Sequence, residues 1–326
     1  MRVLVTGCTG FVGSALAAKL LESGTRVRCL VRATSNLHWL AGLDLERVIG
    51  ELSQPESLIE AVRDVDVVYH LAGVTKAATP DGYRQGNVVT TRNLLAACDS
   101  TAGRISRFVF VSSQAAGGPS LMDSEATEDQ QDRPISFYGR AKLEAEGAVR
   151  QYGSRFPVTI VRPCSVYGPR DRDILRLFRI VKRGISPVLG RGRQRVSLVH
   201  VDDLVEAILL AGRIPGAEGR LYYVSDGAAH DWVGVGKTVA AALGVRAITL
   251  HIPVSLLDLF SIVVRGAAKL RGKPALLNAD KVREMKALSW VCSNRRAREE
   301  LGFQPAIPLE QGTRATALWY REMGWL

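Results

Sequence analysis

Arg2-Val3-Leu4-Val5-Thr6-Gly7-Cys8-Thr9-Gly10-Phe11-Val12-Gly13 is the stretch that decides how the rest of the chain is read. Val3–Thr6 is a β-branched apolar run of strand length, and a helix-period pattern follows over residues 12–23. The loop between them carries glycine at its first, fourth and seventh positions. A turn this tight needs residues that tolerate unusual φ, and a pyrophosphate needs bare backbone amides at a helix N-terminus. The spacing is GxxGxxG, set in the strand–loop–helix context of a dinucleotide-binding unit. Gly7, Gly10, Phe11, Val12 and Gly13 are therefore candidate cofactor contacts.

The same rhythm continues outward. Strand-like runs at Val27–Val31, Val67–Leu71, Phe108–Ser112 and Val158–Val161 alternate with helical patterns over 55–63, 87–99 and 137–150. Continuous apolar strands separated by helices predict an α/β protein with a doubly wound parallel sheet buried on both faces. After Pro163 the pattern breaks into Gly/Arg-rich loops. The expected division is a nucleotide-binding domain over residues 1–165, to which 196–225 returns, and a smaller C-terminal substrate-binding domain over 166–326. The apolar run Ile252–Val264 is too short to span a bilayer.

With 47% apolar and 23% charged residues, the 326-residue chain has the composition of a folded globular protein. Five scattered cysteines without a CxxC suit a reduced compartment and no structural zinc site. No HxH or HExxH spacing supports any other metal, so none is expected. Arg2–Thr6 enters a strand at once, without the basic and apolar regions of a secretory signal; a cytoplasmic protein is the expectation. The net charge of +11 is concentrated in nine basic residues between Arg170 and Arg195. No aromatic residues interleave with them as a stacking platform for nucleic acid requires, and nucleic acid is not an expected partner. The second strand ends in Arg32, where a carboxylate would accept the ribose hydroxyls of NAD and an arginine pairs a 2′-phosphate. With Thr34, Ser35 and Asn36 beside it, Arg32 favours NADP(H) over NAD(H).

Several further motifs join the glycine loop. HLAG runs from His70 to Gly73, and YGRAK from Tyr138 to Lys142 with Ser113 upstream. VRPCSVYGP spans Val161–Pro169, and SLVHVDDLVEAI spans Ser197–Ile208. Together these resemble the extended short-chain dehydrogenases/reductases, the NAD(P)-dependent epimerase/dehydratase superfamily built on a Rossmann fold. The resemblance spans nearly the whole chain. It implies a catalytic Ser113, Tyr138 and Lys142, the last two also touching the cofactor. Tyr138 and Lys142 are four apart on one helix and share a face. A tyrosine is a poor base near neutrality, and a neighbouring ammonium favours its phenolate. Such a phenol accepts a proton from a substrate hydroxyl, or donates one in reduction. Ser112 is adjacent to Ser113 and is the alternative hydroxyl. The resemblance further implies that Leu71, Ala72 and Gly73 pass under the cofactor and that Pro163 and Val166 lie near the nicotinamide. Glu51 and Leu52 match the family's Asp-Leu near the adenine, with a longer carboxylate.

Departures from the family pattern narrow the reaction. A 4,6-dehydratase carries Thr-Asp-Glu where this chain reads Ser113-Gln114-Ala115, so the acid/base agents of elimination are missing. Epimerases usually carry Asn after the strand that here leads into Pro163-Cys164-Ser165, and a Tyr-Gly where Gly117-Gly118 stands. VRPxxVYGPRD and the segment from His251 look closer to 3β-hydroxysteroid dehydrogenases and dihydroflavonol reductases. The expectation is hydride transfer between a secondary hydroxyl and a ketone on an apolar small-molecule substrate, sterol-like or polyketide-like. The alternatives are a nucleotide-sugar epimerase, with Arg195 gripping a diphosphate, and a non-catalytic NAD(P)-sensing binder. The family's use of the helices matching 87–99 and 137–150 implies a homodimer. Ile252–Val264, read as a helix from Pro253, is expected to line the pocket and to permit peripheral membrane contact.

Overall fold

The computed structural model describes residues 1–101, 105–256 and 279–326. Its centre is a seven-stranded parallel sheet in the order β11-β6-β5-β4-β1-β2-β3. The strands are β1 (Arg2–Thr6), β2 (Arg26–Val31), β3 (Glu46–Ile49), β4 (Val67–His70), β5 (Arg107–Val111), β6 (Val158–Pro163) and β11 (Leu221–Val224). β1 lies between β2 and β4, in register Val3 with Val27 and with Val67. Val3, Leu4 and Val5 are all fully buried, because helices cover both faces. Val3 and Val5 pack against α1 (Phe11–Glu22) and α8 (Val201–Arg213), through Leu16, Leu20, Leu204 and Ile208. Leu4 packs on the other side among α2 (Leu58–Val62), α4 (Thr90–Asp99) and α6 (Phe137–Gln151), with Leu58, Leu94 and Ala145. The strand order reverses at β1, so the loops after β1 and β4 diverge there and leave the crevice in which such sheets bind ligands.

The second half forms small sheets beside this one. β7 (Ser165–Tyr167) pairs with β10 (Leu198–His200); β9 (Arg195–Val196) pairs with β12 (His230–Asp231) and β14 (Ser289–Trp290); β8 (Ile185–Leu189) pairs with β13 (Ile248–Ile252). Of residues 196–225, read as returning to the main sheet, Leu221–Val224 joins it beside β6 and Val201–Arg213 covers its face, while the strand expected at Val196–Val201 does not enter it. The apolar run Val196–Val201 has the burial of a core strand but is taken up by β9 and β10, because β11 occupies the edge of β6. Around these sheets α7 (Leu175–Lys182), α9 (Trp232–Leu243) and the helix Leu309–Glu322 enclose a second core of Phe178, Val239 and Tyr320. Ile252 ends β13 and a helix opens at Val254, in line with its reading from Pro253; the rest of that run, beyond Leu256, lies outside the described residues. No described helix is long and apolar enough to cross a membrane.

Candidate active site

The loop after β1 brings backbone against backbone. Gly7 has φ +74°, and a Cβ there would lie 2.7 Å from the Ala72 amide nitrogen. A Cβ on Gly13 would overlap the Gly7 carbonyl oxygen. The loop closes with Gly10 N–H donating to Gly7 O at 3.0 Å, and Gly10 caps α1 without a side-chain bond. The first amides of α1 thus face outward without side-chain partners, the arrangement that receives an anion. Phe11 and Val12 are half-buried against the α1–α8 core. One residue here was not singled out from the sequence. Arg170 has φ +76°, donates from Nη1 to Ser14 Oγ at 2.9 Å, and lies 5.2 Å over the Trp39 ring. Its guanidinium therefore sits beside the first turn of α1.

At the neighbouring strand ends, Arg32 is exposed and forms no salt bridge with a described residue. Its backbone N–H donates to Ser35 Oγ at 3.0 Å, which folds the 32–35 turn back on itself. Glu51 follows β3, with its N–H bonded to Ser57 Oγ at 2.9 Å, and Leu52 is half-buried in the α2–α4 core. After β4 a buried chain of hydrogen bonds fixes the next loop. Thr6 Oγ1 meets His70 Nδ1 at 2.7 Å, His70 Nε2 meets Thr91 Oγ1 at 2.9 Å, and Thr6 Oγ1 also accepts the Ala72 N–H. Burial pushes the His70 imidazolium down to about 3, so the ring is neutral in this network. Asn87 sits in a π-helical turn, Gln85–Val89, and bonds both N–H and C=O of Val74. A Cβ on Gly73 would lie 2.7 Å from Asn87 Oδ1. Leu71, Ala72 and Gly73 are therefore a tightly held strip facing the glycine loop.

Tyr138 and Lys142 stand on the first turns of α6. Lys142 is buried, donates from Nζ to Val111 O at 2.8 Å, and sits 4.2 Å from the Phe110 ring centre. Burial pulls its ammonium down to about 7, with Glu146 one turn on opposing the shift. The half-buried Tyr138 phenol is pushed up to about 12, chiefly by burial, while the Ser113 hydroxyl pulls it back and Glu284 and Tyr83 push it further. The two serines separate cleanly. Ser112 Oγ donates to Glu146 at 2.6 Å in a buried network, whereas Ser113 faces the phenol. In that network Arg162, 1% exposed, holds Glu146 through Nε at 2.8 Å and Nη2 at 2.7 Å, and Asp132 through Nη1 and Nη2. Tyr223 Oη accepts from Arg162 at 2.9 Å and fills the space a side chain on Gly117 would need.

The N-terminus of α6 carries a second feature the sequence did not disclose. Ser136 Oγ accepts the Gly139 N–H at 3.0 Å as a local cap. Asp280, from the helix Ala279–Lys286, accepts the Phe137 N–H at 2.7 Å and the Tyr138 N–H at 3.2 Å. This carboxylate, 5% exposed, belongs to the first helix described after the segment ending at Leu256. Pro163 ends β6 opposite Val224, and Val166 is half-buried on β7. Arg195 is exposed on β9, opposite Asp231, and has no described contact with Ser113, Tyr138 or Lys142. Among the described residues no cluster of three or more His, Cys, Asp or Glu is arranged around a metal.

Comparison with known proteins gives this geometry its relatives. Residues 3–224 match the model of the NAD dependent epimerase/dehydratase family. The chain is 30% identical over 327 residues to a ceramide reductase of Caulobacter vibrioides, covering 99% of this chain and 96% of that protein. It is 31% identical over 331 residues to a 3 beta-hydroxysteroid dehydrogenase/Delta 5-->4-isomerase of Mycobacterium tuberculosis, covering 95% and 88%. Among solved structures, MoeE5 in complex with UDP-glucuronic acid and NAD superposes with a TM-score of 0.79 at 26% identity, over 99% of this chain and 100% of that one.

Proposed function

The chain belongs to the NAD dependent epimerase/dehydratase family, and on that premise we propose that it interconverts a secondary hydroxyl and a ketone on an apolar substrate, with Ser113, Tyr138 and Lys142 as the reacting constellation. The observation that carries the reading is the Tyr138 phenol, set against Ser113 and one turn from a Lys142 ammonium fixed to Val111 O. The residues around Gly7, Gly13 and the open amides of α1 fit a dinucleotide, and NAD(P) held there supplies or takes the hydride. Ser113 orients the substrate oxygen toward the phenol. Tyr138 keeps its proton at neutral pH in the cofactor-free protein, so it is poised to give that proton to a carbonyl oxygen as hydride arrives. Lys142 holds the ribose side of the site and stabilises the phenolate left behind.

Three subsidiary readings follow. An exposed Arg32 without an ion-pair partner among the described residues, next to Ser35, supports NADP(H) over NAD(H). Residues 166–326 form the substrate half, and its apolar character is supported by relatives named for ceramide and hydroxysteroid. We also infer a homodimer through α4 and α6. The second reading, a nucleotide-sugar epimerase, is favoured by the exposed Arg195 and by the UDP-sugar neighbour. Against it stands Gly117, where Tyr223 leaves no room for the tyrosine of the family's epimerases. The test is oxidation of NADPH or NADH with lipophilic ketones and reduction of NADP+ or NAD+ with 3β-hydroxysteroids, followed by nicotinamide absorbance, together with chromatographic product analysis of UDP-sugars incubated with NAD+. Turnover of lipophilic ketones or 3β-hydroxysteroids supports the oxidoreductase; net-redox-neutral conversion of a UDP-sugar alone replaces it with the epimerase.

A further inference from the structure

The two-stranded sheet β8–β13 has one face with nothing but apolar side chains. Its register sets Ile185 beside Ile248, Pro187 beside Leu250 and Leu189 beside Ile252. Alternation along a strand puts these six on one side. Ile248 is 79% exposed, Leu250 51% and Ile185 42%, and the other three are half-buried. The opposite face is different: Ser186 and Val188 are buried against the body of the protein. Val254 and Leu256, directly after β13, are exposed and extend the apolar area. Solvated strand faces are ordinarily polar, so a face of this composition is built to meet another phase.

The charge around it identifies that phase. Lys182 and Arg183 precede β8, Arg191 and Arg193 follow it, and Arg246 precedes β13; all five are exposed. None has an ion-pair partner among the described residues. No Asp or Glu occurs in residues 174–201 or 232–257, so nothing local offsets these cations. An apolar face whose flanking described segments carry only positive charge matches an anionic bilayer, which takes the aliphatic side chains at the acyl boundary and the guanidinium groups at the phosphates. A protein partner of that chemistry would need an apolar groove with an all-acidic rim.

We propose that the Ile185–Leu189 and Ile248–Ile252 face is a docking surface by which the protein rests on an anionic lipid bilayer. This stands whether or not the substrate is lipophilic, because it concerns the outer face of the sheet and not the site. The test is flotation of the full chain with vesicles of phosphatidylcholine alone and of phosphatidylcholine mixed with phosphatidylglycerol. The wild type floats with the mixed vesicles at low salt and is released by high salt. Ile248→Asp combined with Leu250→Asp lowers the bound fraction about tenfold or more, and so does Arg183→Ala combined with Arg246→Ala. Both variants keep cofactor binding, which checks that they fold; if the aspartate pair does not fold, the arginine pair decides. Wild type that stays with the soluble fraction, or variants that float as well as wild type, overturn the proposal. So does a dimer that the aspartate pair converts to monomer, which would assign the face to a second copy of the chain.

Discussion

Asp280→Ala tests whether a residue far from the glycine loop sets the position of Tyr138, the proposed acid/base group. The wild-type carboxylate accepts two backbone N–H groups, from Phe137 at 2.7 Å and Tyr138 at 3.2 Å, at the positive end of α6. It is 5% exposed, so water does not readily replace it. Losing a helix cap costs about 0.5–2 kcal/mol, and a hydrogen bond to a charged group contributes about 1.5–3 kcal/mol. Ser136 still caps Gly139, which retains part of the helix start. The expected loss of stability is therefore about 2–3 kcal/mol, read by denaturant unfolding. The phenol moves with its own backbone, and a misplacement of about 1 Å costs up to about 100-fold in rate. Turnover should fall about 10–100-fold while the KM for NAD(P)H stays within about twofold, since no cofactor contact is removed. Asp280→Asn keeps one acceptor oxygen but turns its NH2 toward the second N–H, and should restore the turnover only in part. A variant that loses the stability but keeps wild-type kcat would show that Asp280 is a cap and nothing more.

Tyr138→Phe should lower turnover about 10²–10⁴-fold with cofactor affinity little changed; near wild-type turnover would remove the phenol from the mechanism. Arg32→Ala should weaken NADP(H) by about 1.5–3 kcal/mol and leave NAD(H) nearly untouched; equal losses in calorimetric titrations with both would show that Arg32 does not read the 2′-phosphate. His70 titrates near 3 in the folded protein because it is buried, against about 6.5 when unfolded. The unfolded state therefore binds the extra proton, and stability falls as pH drops from 6.5 toward 3, by about 2 kcal/mol at pH 5. The difference in unfolding free energy between wild type and His70→Gln should shrink along that window, and a pH-independent difference would contradict it. Light scattering at micromolar concentration should give twice the chain mass, and a monomer mass would argue against the α4–α6 dimer.

What the sequence disclosed was local. The Gly7–Gly13 loop, the strand at its start and the Tyr138–Lys142 pair each declare themselves within a dozen residues, through periodicity and spacing. What it concealed was long-range. Asp280 meets Tyr138 across 142 residues, Arg170 meets Ser14 across 156, and no local pattern announces such a contact. Arg170 looked like one more member of a basic run, although its positive φ turns the side chain onto Trp39 and α1. The choice between Ser112 and Ser113 needed Glu146, a turn beyond Lys142 on another element, to claim the first of them. The misplacing of Val196–Val201 has a similar root: apolar alternation says that a strand is buried, and says nothing about which sheet receives it.

The order β11-β6-β5-β4-β1-β2-β3 has a consequence for a chain emerging from a ribosome. Six strands of the sheet are complete by Pro163, but the seventh arrives only with Leu221–Val224. The helix that covers Val3 and Val5 beside α1, Val201–Arg213, also comes late. At about 5–20 residues per second, roughly 3–12 s separate the end of β6 from the end of β11. During that interval the nascent sheet shows an unpaired edge and a half-bare apolar face, both of which neighbouring chains can capture. The nascent sheet is thus open to capture while residues 163 to 224 are being made, and lengthening or shielding that interval, with slow codons or a holdase, should change the yield of native protein.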